Sequence, residues 1–176
     1  MSDKLRSLIA ETQSTFRSEP AKARVSFQSV SVLTEGLRSE ASLRDHRLTV
    51  DEPASLGGTD AGPNPVELIL AALGTCQEIT YKAYATALGI PLESVSATLE
   101  GAIDLRGFFA VDDTVRPGYQ GITGKVRIKS SASAEDLRRL RDIVNAHCPV
   151  LDIITNPVPV KLELELELDR PAAAAE

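Results

Sequence analysis

A chain of 176 residues that is 43% hydrophobic and 25% charged has the size and balance of one compact domain with a core, not of a two-domain enzyme or a disordered tail. With 4% aromatics, no tryptophan and a net charge of -6, it lacks both the stacking surfaces and the basic face that nucleic acid or an anionic membrane would require. Two cysteines are too few for a stapled secreted scaffold, and the longest apolar run, Leu68 to Leu73, is far short of a membrane span, so a cytoplasmic protein is expected.

Leu5, Leu8, Ile9 and Phe16 recur at helical intervals, which predicts a peripheral helix within residues 1–20 that ends before Pro20. From Val25 the pattern changes to alternation through Phe27, Val30 and Val32, turns at Gly36, and resumes at Ala41, Leu43, Leu48 and Val50, a β-hairpin with an extension. VDEPASLGGTDAGPNP is a loop of tight turns. Asn64-Pro65-Val66-Glu67 then opens a helix: Asn64 suits the N-cap, Pro65 the first helical position, and Glu67 the reciprocal capping box. This helix runs to Gly89 and Pro91 and is apolar on more than one side, so burial by neighbours all round is expected.

Val95 to Leu105 and Ile122 to Ile128 read as strands, separated by a long connection, Arg106 to Gly118, that suits a lid, an interface loop or a subunit contact. Ser133 begins a second helix with a stripe of Leu137, Leu140, Ile143 and Val144, stopped by Pro149. Val160 to Leu168 alternates as a final strand with Glu163, Glu165 and Glu167 on its solvated face, and 171–176 is a loose tail. The order predicts an α+β fold over 21–170, with curved antiparallel sheet and helices on one side. One sheet cannot cover a helix that is apolar all round, so a homodimer with that helix near the interface is expected.

Cys76 shares a helical face with Ile69, Leu73, Ile79 and Ala83, and by periodicity alone it is a packed core thiol. A reactive Cys76 would need help, because apolar burial raises a thiol pKa and the residue stands about three turns inside its helix, beyond the reach of the dipole. An arginine from elsewhere is the suitable donor, and Arg38, Arg44, Arg47 and Arg106 are the supply. Cys148, near a helix C-terminus, is better suited to resolve than to attack.

GPNPVELILAALGTC, followed by a strand-rich stretch and a helix ending in HCPVLD, resembles the OsmC/Ohr family of small thiol proteins over roughly Val25 to Leu168. The resemblance implies an α+β fold, an intertwined homodimer, and cofactor-free reduction of organic or inorganic hydroperoxides. It implies that Cys76 is the peroxidatic thiol and Cys148 the resolving one, with an external dithiol, of lipoyl type, as reductant. The family's activating arginine comes from the first hairpin turn, where Arg38 is the nearest match and Arg44 the reserve. In the hydroperoxide-resistance branch a glutamate directly follows the helix-opening proline. Here Val66 stands there and Glu67 comes one residue later, a rotation of about 100°, so Glu67 is either catalytic or only a cap.

His46 and His147 lack metal-ligand spacing with the cysteines, GYQGITGK is followed by a strand and is read as a turn, and no metal or cofactor is expected. The alternative function is a non-catalytic, stress-associated protein that binds a small apolar ligand at the dimer-interface cavity, with both cysteines as packing.

Overall fold

The computed structural model describes residues 2–167. Helix α1 (Ser2–Ser18) is followed by a short 3-10 turn and three antiparallel strands, β1 (Val30–Glu35), β2 (Arg38–Leu43) and β3 (His46–Val50), in the order β1-β2-β3. Helix α2 (Pro65–Leu88) then leads to β4 (Ser94–Ile103), a single-turn helix α3 (Leu105–Phe108) and β5 (Tyr119–Lys129). Strands β4 and β5 pair antiparallel along their whole length. Helices α4 (Ala134–His147) and α5 (Pro149–Thr155) complete the described elements of an α+β fold. No helix among the described residues is long and apolar enough to cross a membrane.

The predicted helix start is formed as the sequence implies. The Glu67 N–H donates to Asn64 Oδ1 and the Asn64 N–H donates to Glu67 Oε2, each at 2.9 Å, which satisfies two of the amides a helix start leaves without partners. Gly89, at φ +70°, takes the left-handed C-cap conformation that suits glycine. Upstream, Asp51 ties the glycine-rich loop to the end of β3 by accepting hydrogen bonds from the Glu52, Thr59 and Ala61 amides and the Thr59 hydroxyl.

Tyr81 and Ala85 of α2 meet Leu140 and Val144 of α4 in the core, flanked by Ile90, Leu92, Val95 and Ile128. Helix α2 rests on β4 at Gly74, where an added Cβ would stand 3.6 Å from Leu99 and 3.7 Å from Ala97. The Ala97 N–H donates to Glu78 Oε1 at 3.0 Å and pins the helix to the strand. Helix α1 closes the far end of α2, with Arg6 Nε donating to the Thr86 carbonyl at 3.1 Å.

Three expectations need correction and one is extended. Residues 157–167 form no strand: Val160, Leu162, Leu164 and Leu166 stand exposed, Leu162 at 90%, because no strand among the described residues lies alongside to take the ladder bonds. Leu168 and the tail 171–176 lie outside the described residues. Pro149 does more than stop α4, since it takes the first position of α5, a site that suits a residue without an N–H. Nor is α2 buried all round. Its buried side carries Leu73, Gln77, Thr80, Tyr81, Ala85 and Thr86, while Ile69, Ile79 and Leu88 face outward because the β4–β5 sheet and helices α1, α4 and α5 cover only part of its circumference. Hence the apolar stripe assigned to Cys76 divides: Leu73 is buried and Ile79 is 69% exposed.

Candidate active site

Cys76 is half-buried on α2, and Cys148, 1% exposed, fills the joint between α4 and α5. Their sulfurs are 3.3 Å apart, with the Cys148 thiol donating to Cys76 Sγ. Both thiols are free, and a disulfide at about 2.05 Å would require a further approach of about 1.3 Å. Pairing residues 72 apart in sequence takes the packing of α4 on α2 and the sharp His147-Cys148-Pro149 turn between helices.

The surroundings make the two thiols unequal. Burial pushes the Cys148 thiol above its ordinary range, and the neighbouring Cys76 sulfur adds to the rise. The Leu151 N–H and the Gln77 carboxamide act in the opposite direction. A thiol held neutral and aimed at its neighbour suits the second step of a two-thiol reaction better than the first. Cys148 is thus the C-cap of one helix and the N-cap of the next, so its environment is not that of a helix C-terminus alone.

A cavity of about 460 Å³ is walled by Ile69, Leu73, Tyr119, Ile122, Leu151 and Ile154, with neither cysteine in its lining. Leu73 stands one turn before Cys76, and Leu151 is the residue whose amide faces Cys148. The Tyr119 hydroxyl donates to the Val66 carbonyl at 2.8 Å and fixes the ring on this wall. Arg116 is the cation that lines the cavity. Sequence reading passed it over because the connection carrying it, 106–118, has no periodicity; the Arg-Pro-Gly before β5 was the available signal. Gln77 was passed over because a polar residue on an apolar helix reads as solvent-facing until α4 is laid across it.

The arginines proposed from the sequence are elsewhere. Arg38 Nη2 donates to Glu35 Oε2 at 2.9 Å across the first hairpin turn. Arg44 holds the β2–β3 turn at φ +56°, and Arg106 is bound to Asp104 at 2.6 Å. Among the described residues no arginine hydrogen-bonds to either sulfur. The Glu67 carboxylate is engaged in the capping box, one of the two roles its position allowed. No cluster of three or more His, Cys, Asp or Glu side chains among the described residues is placed to hold a metal. His147 Nδ1 meets the Ile143 carbonyl at 2.8 Å and its ring packs on Tyr84, away from the role of base to its neighbour Cys148.

Residues 58–163 match the family model of the OsmC-like protein, which spans well over half of the chain, and the chain belongs to that family. No curated protein matches it. Among solved structures it is similar to an OsmC-like protein from Mycoplasma pneumoniae, with a TM-score of 0.66 at 20% identity, covering 76% of this chain and 89% of that one. An organic hydroperoxide resistance protein from Legionella pneumophila gives 0.58 at 23% identity, covering 78% and 96%. One from Elizabethkingia anophelis, with thiocyanate bound, gives 0.57 at 16%, covering 76% and 91%. At such identities the likeness establishes the fold.

Proposed function

We propose that this OsmC-like protein is a thiol peroxidase that reduces organic hydroperoxides, and inorganic ones as a secondary class, through Cys76 and Cys148. The observation that carries the reading is the 3.3 Å separation of the two free sulfurs across the packing of α4 on α2. In the first step the Cys76 thiolate attacks the terminal peroxide oxygen and the O–O bond breaks. The alkoxide takes a proton and leaves as the alcohol, and Cys76 becomes a sulfenic acid. Cys148 sulfur then attacks the Cys76 sulfur, the S–O bond breaks, water leaves, and the disulfide forms. An external dithiol, for which a lipoyl-type group is a suitable class, supplies two electrons and two protons to restore both thiols.

A cation must favour the Cys76 thiolate and the departing oxygen. Arg38, then Arg44, are the candidates from the first hairpin, brought to the thiol when two copies associate. The exposed Val30, Val32 and Leu33 of β1, Ile79 of α2 and the alternating 160–166 segment support that association, since each offers an apolar face to a second copy.

The reading is tested by mixing reduced protein with cumene hydroperoxide and counting free thiols. Wild type should lose both, Cys76→Ser neither, and Cys148→Ser should stop at a sulfenic acid that a dimedone probe captures. Equal, slow peroxide consumption by wild type and Cys76→Ser would remove the enzymatic reading and leave a ligand-binding protein with packed thiols.

A further inference from the structure

A second cavity, of about 440 Å³, opens between α2, β5 and α4 and shares no lining residue with the one walled by Leu73 and Leu151, and its Gln77 reaches Cys148. Its inner wall holds the polar ends of two buried side chains, Gln77 and the core residue Tyr81. Tyr81 is 2% exposed and Gln77 6%. Among the described residues the Tyr81 hydroxyl has no hydrogen-bond partner, and Gln77 reaches only the weakly bonding Cys148 sulfur. Yet no sealed side-chain N or O atom among those residues lacks a partner, so both polar ends open onto the cavity they line. Both polar ends are therefore free to pair with a ligand atom that enters the cavity.

The mouth has a definite charge. Arg138, Arg141 and Asn145 are spaced three and four residues apart on α4, which puts them on one face, and all three are exposed. Arg141 leans on Asp142 at 2.7 Å, whereas Arg138 has no carboxylate partner among the described residues. No Asp or Glu lines the cavity. Between mouth and floor the walls are Val126, Ile128 and Leu137. A ligand that satisfies this sequence of surfaces carries an anion at one end, an apolar body, and a hydrogen-bonding group at the other.

We propose that this cavity binds a small organic carboxylate with an apolar body and a hydroxyl or amide at its far end. The carboxylate takes the guanidinium donors of Arg138 and Arg141, which match its geometry better than an ammonium would. The body covers Val126, Ile128 and Leu137, and the far end pairs with Tyr81 and Gln77. The volume lies within the range of small-molecule sites. An inorganic anion would leave the apolar walls and the floor unmet.

The probe is 3-(4-hydroxyphenyl)propionate, titrated into the reduced protein by calorimetry, beside its neutral amide and 3-phenylpropionate, which lacks the far hydroxyl. The acid should bind, the amide at least about tenfold more weakly, and the Arg138→Gln/Arg141→Gln double variant should lose a similar factor for the acid alone. Tyr81→Phe removes a hydroxyl without a partner in the protein, so it should fold normally and bring the hydroxylated acid to the level of 3-phenylpropionate. Cys76→Ser should bind the acid as wild type does, which separates this site from the thiol reaction. Equal affinity for acid and amide, indifference to the double variant, or no binding by wild type would overturn the proposal.

Discussion

Asp51, 1% exposed, accepts four hydrogen bonds within the loop it closes, and the Thr59 hydroxyl is the largest reason its carboxyl falls from the ordinary 3.8 to about 2. Because the folded value is the lower one, the ionised carboxylate stabilises the fold above pH 3.8, and that contribution disappears as the pH falls through about 2. Urea midpoints should therefore drop across this window in wild type and drop less in Asp51→Asn, which should already be weaker at pH 7. Parallel curves for the two proteins would show that the carboxylate is not the titrating anchor. Gly58 belongs to the same loop, where an added Cβ would lie 1.8 Å from the Glu52 carbonyl oxygen, so Gly58→Ala should displace the loop as well. At the site itself, Cys148 combines burial with contact to Cys76, and its raised pKa follows from that position between two helices.

Helix α2 presents Cys76 at a fixed height because its start is held in two ways. The capping box sets where the helix begins, and the Asp51 loop sets where the chain arrives. Asn64→Ala removes the side-chain acceptor of the box and should cost about 1 kcal/mol of unfolding free energy, while Asn64→Gly should cost only a few tenths. Chemical denaturation of the two variants measures this, and an alanine variant as stable as wild type would mean that Pro65 and packing suffice. The other end depends on tertiary contact. Arg6 of α1 donates to the Thr86 carbonyl, one of the last-turn acceptors, so α1 is a clamp on α2 and not a loose appendage. Helix α5 escaped the sequence reading because Pro149 reads equally as a stop and as a first helical residue. Only the α4 ending at His147 shows that both apply.

For the molecule as a whole, the apolar surface that one chain leaves open includes β1, one side of α2, the 108–111 connection and the 158–166 segment. A homodimer that covers α2 makes a sharp prediction at Ile79, which is exposed in the single chain. There Ile79→Asp should be nearly neutral in a monomer, within about 0.5 kcal/mol, but should disrupt a dimer built on that face. Light scattering on the eluting protein should give two chains for wild type and one for the variant; two for both would place the interface elsewhere. The capping box, the helix it opens, the strands β4 and β5, and the candidate thiols were all legible in the residues, because each depends on neighbours a few positions away or on a short period. Other features were not legible. Whether 160–166 becomes a strand depends on finding a partner edge, and Arg116, Gln77 and Tyr81 acquire meaning only when packing turns them toward a cavity. The 3.3 Å between two sulfurs 72 residues apart is likewise a fact of how α4 lies on α2, since local propensity carries no information about distances across the core.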